Sequence, residues 1–114
     1  MASQLEVEAA IDRLSTAARD LDDRTRARIP NRSASVHLLD LDLAYTGEFV
    51  SGALVNVGAV PPEVAATAAF RLTCSSDDFI SLIDGDLGFG SAWAGGRIRI
   101  DAKFRDLLEL RKFL

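Results

Sequence analysis

The chain has a single cysteine, Cys74, so no disulfide can close within it. It also has a single histidine, His37. These two side chains cannot furnish the four ligands of a structural zinc site, and no metal is expected. Glycine and proline number eight and three among 114 residues, too few for a low-complexity or disordered chain. No window approaches 18 uncharged apolar residues, so no membrane-spanning helix is expected. The N-terminus lacks the basic stretch and apolar run of a secretory leader. With a lone thiol, this sets the expectation of a soluble, cytoplasmic protein. A basic patch is missing too. The net charge is −4, and Arg13, Arg19, Arg24, Arg26 and Arg28 are interleaved with Asp12, Asp20, Asp22 and Asp23. That mixture describes a solvated helix face, and no nucleic-acid partner is expected.

What the chain does have is 48% apolar and 26% charged residues, a globular composition. Residues 1–114 suit one domain that can bury a core without staples. Ser3-Gln4-Leu5-Glu6 reads as a capping box, and Val7, Ile11, Leu14, Ala18 and Leu21 follow as one apolar stripe. Pro30 blocks continuation, so a first helix is expected over about 4–28. Strands are expected within 34–74. From Ser35 an alternation places His37, Leu39, Leu41, Leu43 and Tyr45 on one face, with Asp40 and Asp42 opposite. Thr46-Gly47-Glu48 reads as a hairpin turn leading to a second strand with Phe49, Ser51, Ala53, Val55 and Val57 on one face. Ala68, Phe70, Leu72 and Cys74 share a face of another strand. Ser75 caps a helix over about 76–84, with Asp78 reaching back, and Gly85 stands where a left-handed C-terminal cap belongs. Ser91 to Ala94 suggests one helical turn, residues 97–101 a strand, and 103–113 a last helix. Strands arriving in a run between helices predict an α+β fold with an antiparallel-dominated sheet covered on one face by helices.

Chemical motifs are few. Asp84 and Asp86 begin like a calcium loop, but Gly88, Phe89 and Gly95 stand where ligands and the obligatory glycine are needed. Gly88-Phe89-Gly90 follows a helix, has Trp93 at its third glycine position and lacks a Lys-Ser/Thr pair, so it is not a phosphate loop. Cys74, on an apolar strand face with no motif around it, reads as an inert buried thiol. Asp40 and Asp42 read as a solvent-facing row. An enzyme using His37 or Asp40 ranks last among the functional readings.

The stretch "SSDDFISLIDGDLGFGSAWAGGRIRIDA", Ser75 to Ala102, resembles the sterol carrier protein-2 family. It carries the serine–acidic cluster (Ser75 to Asp78), the apolar helix (Phe79 to Ile83) and the Gly-x-Leu turn (Gly85, Leu87). The Ala-aromatic pair (Ala92, Trp93) and the glycine before alternating basic and aliphatic residues (Gly96 to Ile100) follow. Asp86 stands where that family usually has a basic residue, Ala102 where it often has glycine, and Lys112-Phe113-Leu114 is not its peroxisomal address. The resemblance implies a small bacterial-type domain of about five strands, with a hydrophobic tunnel between sheet and helices. It implies a hydrophobic small-molecule partner (sterol, fatty acid or acyl-CoA-like lipid), transient membrane contact during transfer, no catalytic residue and no cofactor. Phe79, Leu82, Ile83, Leu87, Phe89, Trp93, Ile98, Leu107, Leu108 and Phe113 are the expected tunnel residues. Leu87, Phe89, Ala92 and Trp93 would form one wall or lip. The competing reading is a non-catalytic docking or dimerisation module for a lipid-metabolising enzyme.

Overall fold

The computed structural model describes residues 1–111, and of residues 104 and 109–111 only the backbone. The chain opens with helix α1, Gln4–Arg19, started by the full capping box between Ser3 and Glu6. Its buried face carries Val7, Ala10, Ile11 and Ala18. The helix does not run on to residue 28. Asp22 turns extended (φ −69°, ψ 162°) and its carboxylate accepts the Thr25 N–H at 2.7 Å, which starts a separate helix α2, Asp23–Arg28. An aspartate that can cap competes with the helix interior, and here the cap wins.

Of the two or three strands expected here, three form: β1 (Arg32–Leu38), β2 (Leu43–Val50) and β3 (Ala53–Val60). The apparent alternation from His37 to Tyr45 crosses a turn, Leu39 to Asp42, with Asp42 in the left-handed region at φ 49°. On β1 the core face is therefore Val36 and Leu38, and His37 lies on the opposite face. Thr46-Gly47-Glu48 is not a turn either. Gly47 is buried inside β2 at a register shift, a β-bulge. The hairpin turns at Ser51-Gly52, both at positive φ (51° and 80°), as a tight two-residue turn requires.

After a single-turn helix α3 (Pro62–Ala65), β4 (Phe70–Cys74) leads into helix α4, Ser76–Asp84. The Ser75 hydroxyl accepts the Asp78 N–H, and Gly85 closes α4 at φ 82°. The Asp78 carboxylate takes the Arg97 guanidinium. Helix α5 (Phe89–Ala94), strand β5 (Arg99–Asp101) and helix α6 (Phe104–Arg111) complete the described chain.

The sheet order is β3-β2-β1-β4-β5. β1 and β4 are parallel, and the other neighbours are antiparallel. One cross-strand row runs Ala59, Tyr45, Val36, Leu72, Ile100, and the next runs Gly47, Ala34, Phe70. Helices α1, α4 and α5 cover this face, and their core includes Val7, Ile11, Leu38, Cys74, Phe79, Ala92 and Ile98. The small helix α3 sits on the other face, where the Ser35 hydroxyl donates to the Ala65 carbonyl at 2.8 Å. A fully buried serine joins three elements. The Ala2 N–H donates to Ser76 Oγ (3.1 Å), whose hydroxyl donates to Asp40 Oδ2 (2.6 Å) in the β1–β2 turn.

Candidate functional site

The core face of the sheet is filled at one end and hollow at the other. At the filled end, Leu38 is wholly inaccessible, packed with Val7 and Phe79 into one cluster. At the hollow end lies a cavity of about 390 Å³. Its floor is the sheet: Ala34 and Val36 from β1, Tyr45, Gly47 and Phe49 from β2, Leu54 and Val57 from β3, Phe70 and Leu72 from β4, and Ile100 from β5. Its roof comes from Ile11 and Leu14 on α1, Phe79 on α4, Phe89 on α5, and Ile29 with Pro30 just after α2. Strand alternation turns most of these floor residues inward, the bulge around Asn56 brings both Leu54 and Val57 to this face, and the i, i+3 spacing of Ile11 and Leu14 keeps both on one side of α1. The buried Tyr45 ring is fixed by its hydroxyl, which donates to Glu8 Oε2 at 3.0 Å. Burial, then the Glu8 hydrogen bond, raises the Tyr45 pKa, so the phenol stays neutral at physiological pH.

A second, polar hollow lies beside the first, lined by Asp23, Arg26, Ala27, Asn31 and Ser51, and the two share Ile29. Asn31 Oδ1 accepts the Ser51 N–H at 2.8 Å, and Gly52 lies directly under Arg26. Arg26 Nε is buried with no hydrogen-bond partner among the described residues.

Of the ten residues expected to line a tunnel, Phe79 and Phe89 contribute to the cavity wall. Leu82, Ile83, Leu87 and Trp93 pack on the core cluster outside the lining, and Ile98 is inside that cluster. Trp93 meets Phe89 edge-on with ring centroids 6.2 Å apart, so it touches the wall indirectly. Leu107 is half-buried and Leu108 exposed on α6, both away from the lining, and Phe113 lies outside the described residues. Sequence alternation puts Phe70 and Leu72 on one face of β4, but mistaking the turns misses Ala34, Val36, Gly47 and Leu54. Pro30 reads as a helix stop, and Ile29 carries no local signal.

The titratable groups lie elsewhere. His37 Nε2 is 3.3 Å from Asp42 Oδ1 on the far face of the sheet. The Cys74 thiol is pushed up to about 12, by burial first and then by the charges of Asp78 and Asp40, so it stays a protonated, unreactive thiol. Asp40 is not merely a solvated carboxylate. It accepts both the hydroxyl and the N–H of Ser76, and the hydroxyl bond above all holds its pKa below the ordinary value. Asp84 pairs with Arg13 of α1 at 3.0 Å. Among the described residues no three His, Cys, Asp or Glu side chains converge as metal ligands, and no helix is long and apolar enough to cross a membrane.

No family model and no curated protein matches this sequence. Solved structures do. The chain is similar to Sterol Carrier Protein 2 Like 2 from Aedes aegypti, with a TM-score of 0.69 and 14% identity over 97% of this chain and 98% of that one. It is similar to Sterol Carrier Protein-2 from Aedes aegypti in complex with the C16 fatty acid palmitate (TM-score 0.65, 14% identity, 97% and 96% covered). It also resembles part of a stereoselective inverting sec-alkylsulfatase from Pseudomonas sp. (TM-score 0.57, 18% identity), matching 81% of this chain but 14% of that one. A five-stranded, mostly antiparallel mixed sheet with helices over its hollow face, superposing on the two sterol carrier proteins across nearly its whole length, gives the chain a sterol carrier protein-2-like α+β fold.

Proposed function

We propose that this protein binds the hydrocarbon body of a lipid in the cavity between sheet and helices and passes it on without chemical change. A sterol, a fatty acid or a fatty acyl group is the class of ligand. The observation that carries the reading is the cavity itself, about 390 Å³ walled almost wholly by apolar side chains. Left empty and dry, such a volume costs about 9 kcal/mol at about 24 cal/mol per Å³. A domain of this size has only about 5–15 kcal/mol of stability in total. Each methylene placed there gains about 0.8 kcal/mol, so a hydrocarbon removes the penalty directly. His37 and Cys74, the nucleophile-chemistry residues, take no part in the lining. The palmitate complex of a structurally similar protein supports the same occupant.

Solvent extraction of the purified protein followed by mass spectrometry should find copurified lipid. Titration with hexadecanoic acid or a sterol should give saturable binding reported by Trp93 fluorescence through Phe89. An empty extract together with no saturable binding would sink the proposal. A second reading is favoured by the match to one part of a much longer sulfatase, namely a docking or dimerisation module for a lipid-metabolising enzyme. Ligand-free protein with a concentration-dependent mass would support that reading instead.

A further inference from the structure

Resting on the lipid-binding reading, we infer that Ala34 and Gly47 are specificity-determining residues that set the depth of the cavity and so the length of hydrocarbon it accepts. They are Cα partners on the adjacent central strands β1 and β2, with Phe70 next in the row. The rows on either side carry Tyr45, Val36 and Leu72, or Phe49 and Leu54. Only here does the floor lack a side chain larger than a methyl group. At Ala34 the floor offers only a methyl group, and over Gly47 the tips of Leu54 and Val57 lie low against the strand. Ser35, Thr46 and Arg71 contribute lining atoms, although Ser35 and Arg71 send their polar ends to Ala65 and Ala68 carbonyls.

Backbone geometry does not demand this smallness. Gly47 is not among the residues at positive φ. A Cβ there would crowd Leu54 Cδ1 at 3.0 Å and Val57 Cγ2 at 3.2 Å, so a larger residue would push these two side chains up into the cavity. Branched and aromatic residues favour central strands, and alanine and glycine are depleted there. Two weak strand formers at the centre of the sheet thus keep open a trench that a larger residue would close. The fold would be more stable with the trench filled, the pattern expected where function and stability pull apart.

The test is Ala34→Leu, with decanoic and hexadecanoic acid as probes. The variant should melt at or above the wild-type temperature, because leucine fills apolar space. It should also bind hexadecanoic acid more weakly. Three displaced methylenes, at roughly fourfold in affinity each, predict a loss of about fiftyfold. Decanoic acid, short enough to avoid the trench, should change by less than about threefold. Gly47→Ala should reproduce the same length dependence on a smaller scale. Equal binding of hexadecanoic acid by wild type and Ala34→Leu overturns the inference. So does a loss that is the same for both acids in both variants. If the wild-type protein binds neither acid, this inference falls, and the lipid-binding reading falls with it only when a sterol also fails to bind and the solvent extract is empty.

Discussion

Two leucines on neighbouring strands offer a direct measurement of where the sheet is packed and where it is hollow. Leu38 ends β1 at the filled end and is fully buried, whereas Leu72 lies mid-β4 with one side on the cavity. Truncation to alanine removes the same three carbons from each, worth about 2.4 kcal/mol when fully buried. At Leu38 a new void opens among packed neighbours, so the total should reach about 4 kcal/mol, within the range for enclosed Leu→Ala sites. At Leu72 part of the side chain already faces space, so the transfer contribution shrinks and the void is only enlarged. About 2 kcal/mol is expected there. The difference of about 2 kcal/mol corresponds to roughly 8 °C in melting temperature for a domain of this length. Urea unfolding of the ligand-free proteins gives the two values, and a saturating lipid should then widen the gap between wild type and Leu72→Ala but not alter the Leu38→Ala deficit. Equal losses, or a larger loss at Leu72, would refute the division of the sheet into a packed and a hollow end.

Gly52→Ala should cost at least about 2 kcal/mol in urea unfolding, because a Cβ would sit 2.7 Å from Arg26 Cβ and the position holds φ 80°. A cost below about 0.5 kcal/mol would mean that α2 does not rest on this turn. Cys74 should resist a thiol reagent at pH 8 in the native protein and react on unfolding, as the raised pKa of about 12 and its burial require. The unfolded thiol ionises near 9.0 and the folded one near 12, so stability should fall as pH rises through that window, and Cys74→Ala should lessen the slope. At the acid end the sign reverses. Asp40 has a depressed pKa in the fold, so its contribution is present above the ordinary 3.8 and is lost as pH falls through the lower folded value. Ser76→Ala should bring the acid unfolding midpoint closer to neutrality, and an unchanged midpoint would count against the Ser76–Asp40 contact.

The starts of α1 and α4 and the stop of α4 were legible because each is written in nearby residues. Ser3 with Glu6, and Ser75 with Gly85, need no knowledge of the rest of the chain. The strands were not, because Leu39, Leu41 and Leu43 continue an apolar alternation through a turn. Glycine misled in the same region. Gly47 is a strand residue at a bulge, and the true turn uses Ser51 beside Gly52. The break between α1 and α2 was hidden because Asp22, which caps α2, lies within the reach of a strong apolar stripe. The cavity was the least legible feature. Ala34, Gly47 and Phe70 become neighbours only through strand register, and no local pattern announces that two small residues will meet on one floor.

The buried Ser76 hub has a consequence for the order in which the chain acquires its shape. Its hydroxyl accepts from Ala2 and donates to Asp40, so the start of α1 is fastened to residues made much later. α1 also packs on α4, and β1 completes its parallel pairing only with β4. On the ribosome, at about 5–20 residues per second, the first helix must wait several seconds before its partners emerge. During that interval the β1–β2–β3 meander is the only part of the sheet that can close, and Val7 and Ile11 have Val36, Leu38 and Tyr45 but not Phe79 of α4 to cover them. Nascent chains stalled before residue 70 should therefore expose α1 to protease, and chains released past α4 should protect it. Such distant pairings predict refolding slower than that of a helical bundle of equal length.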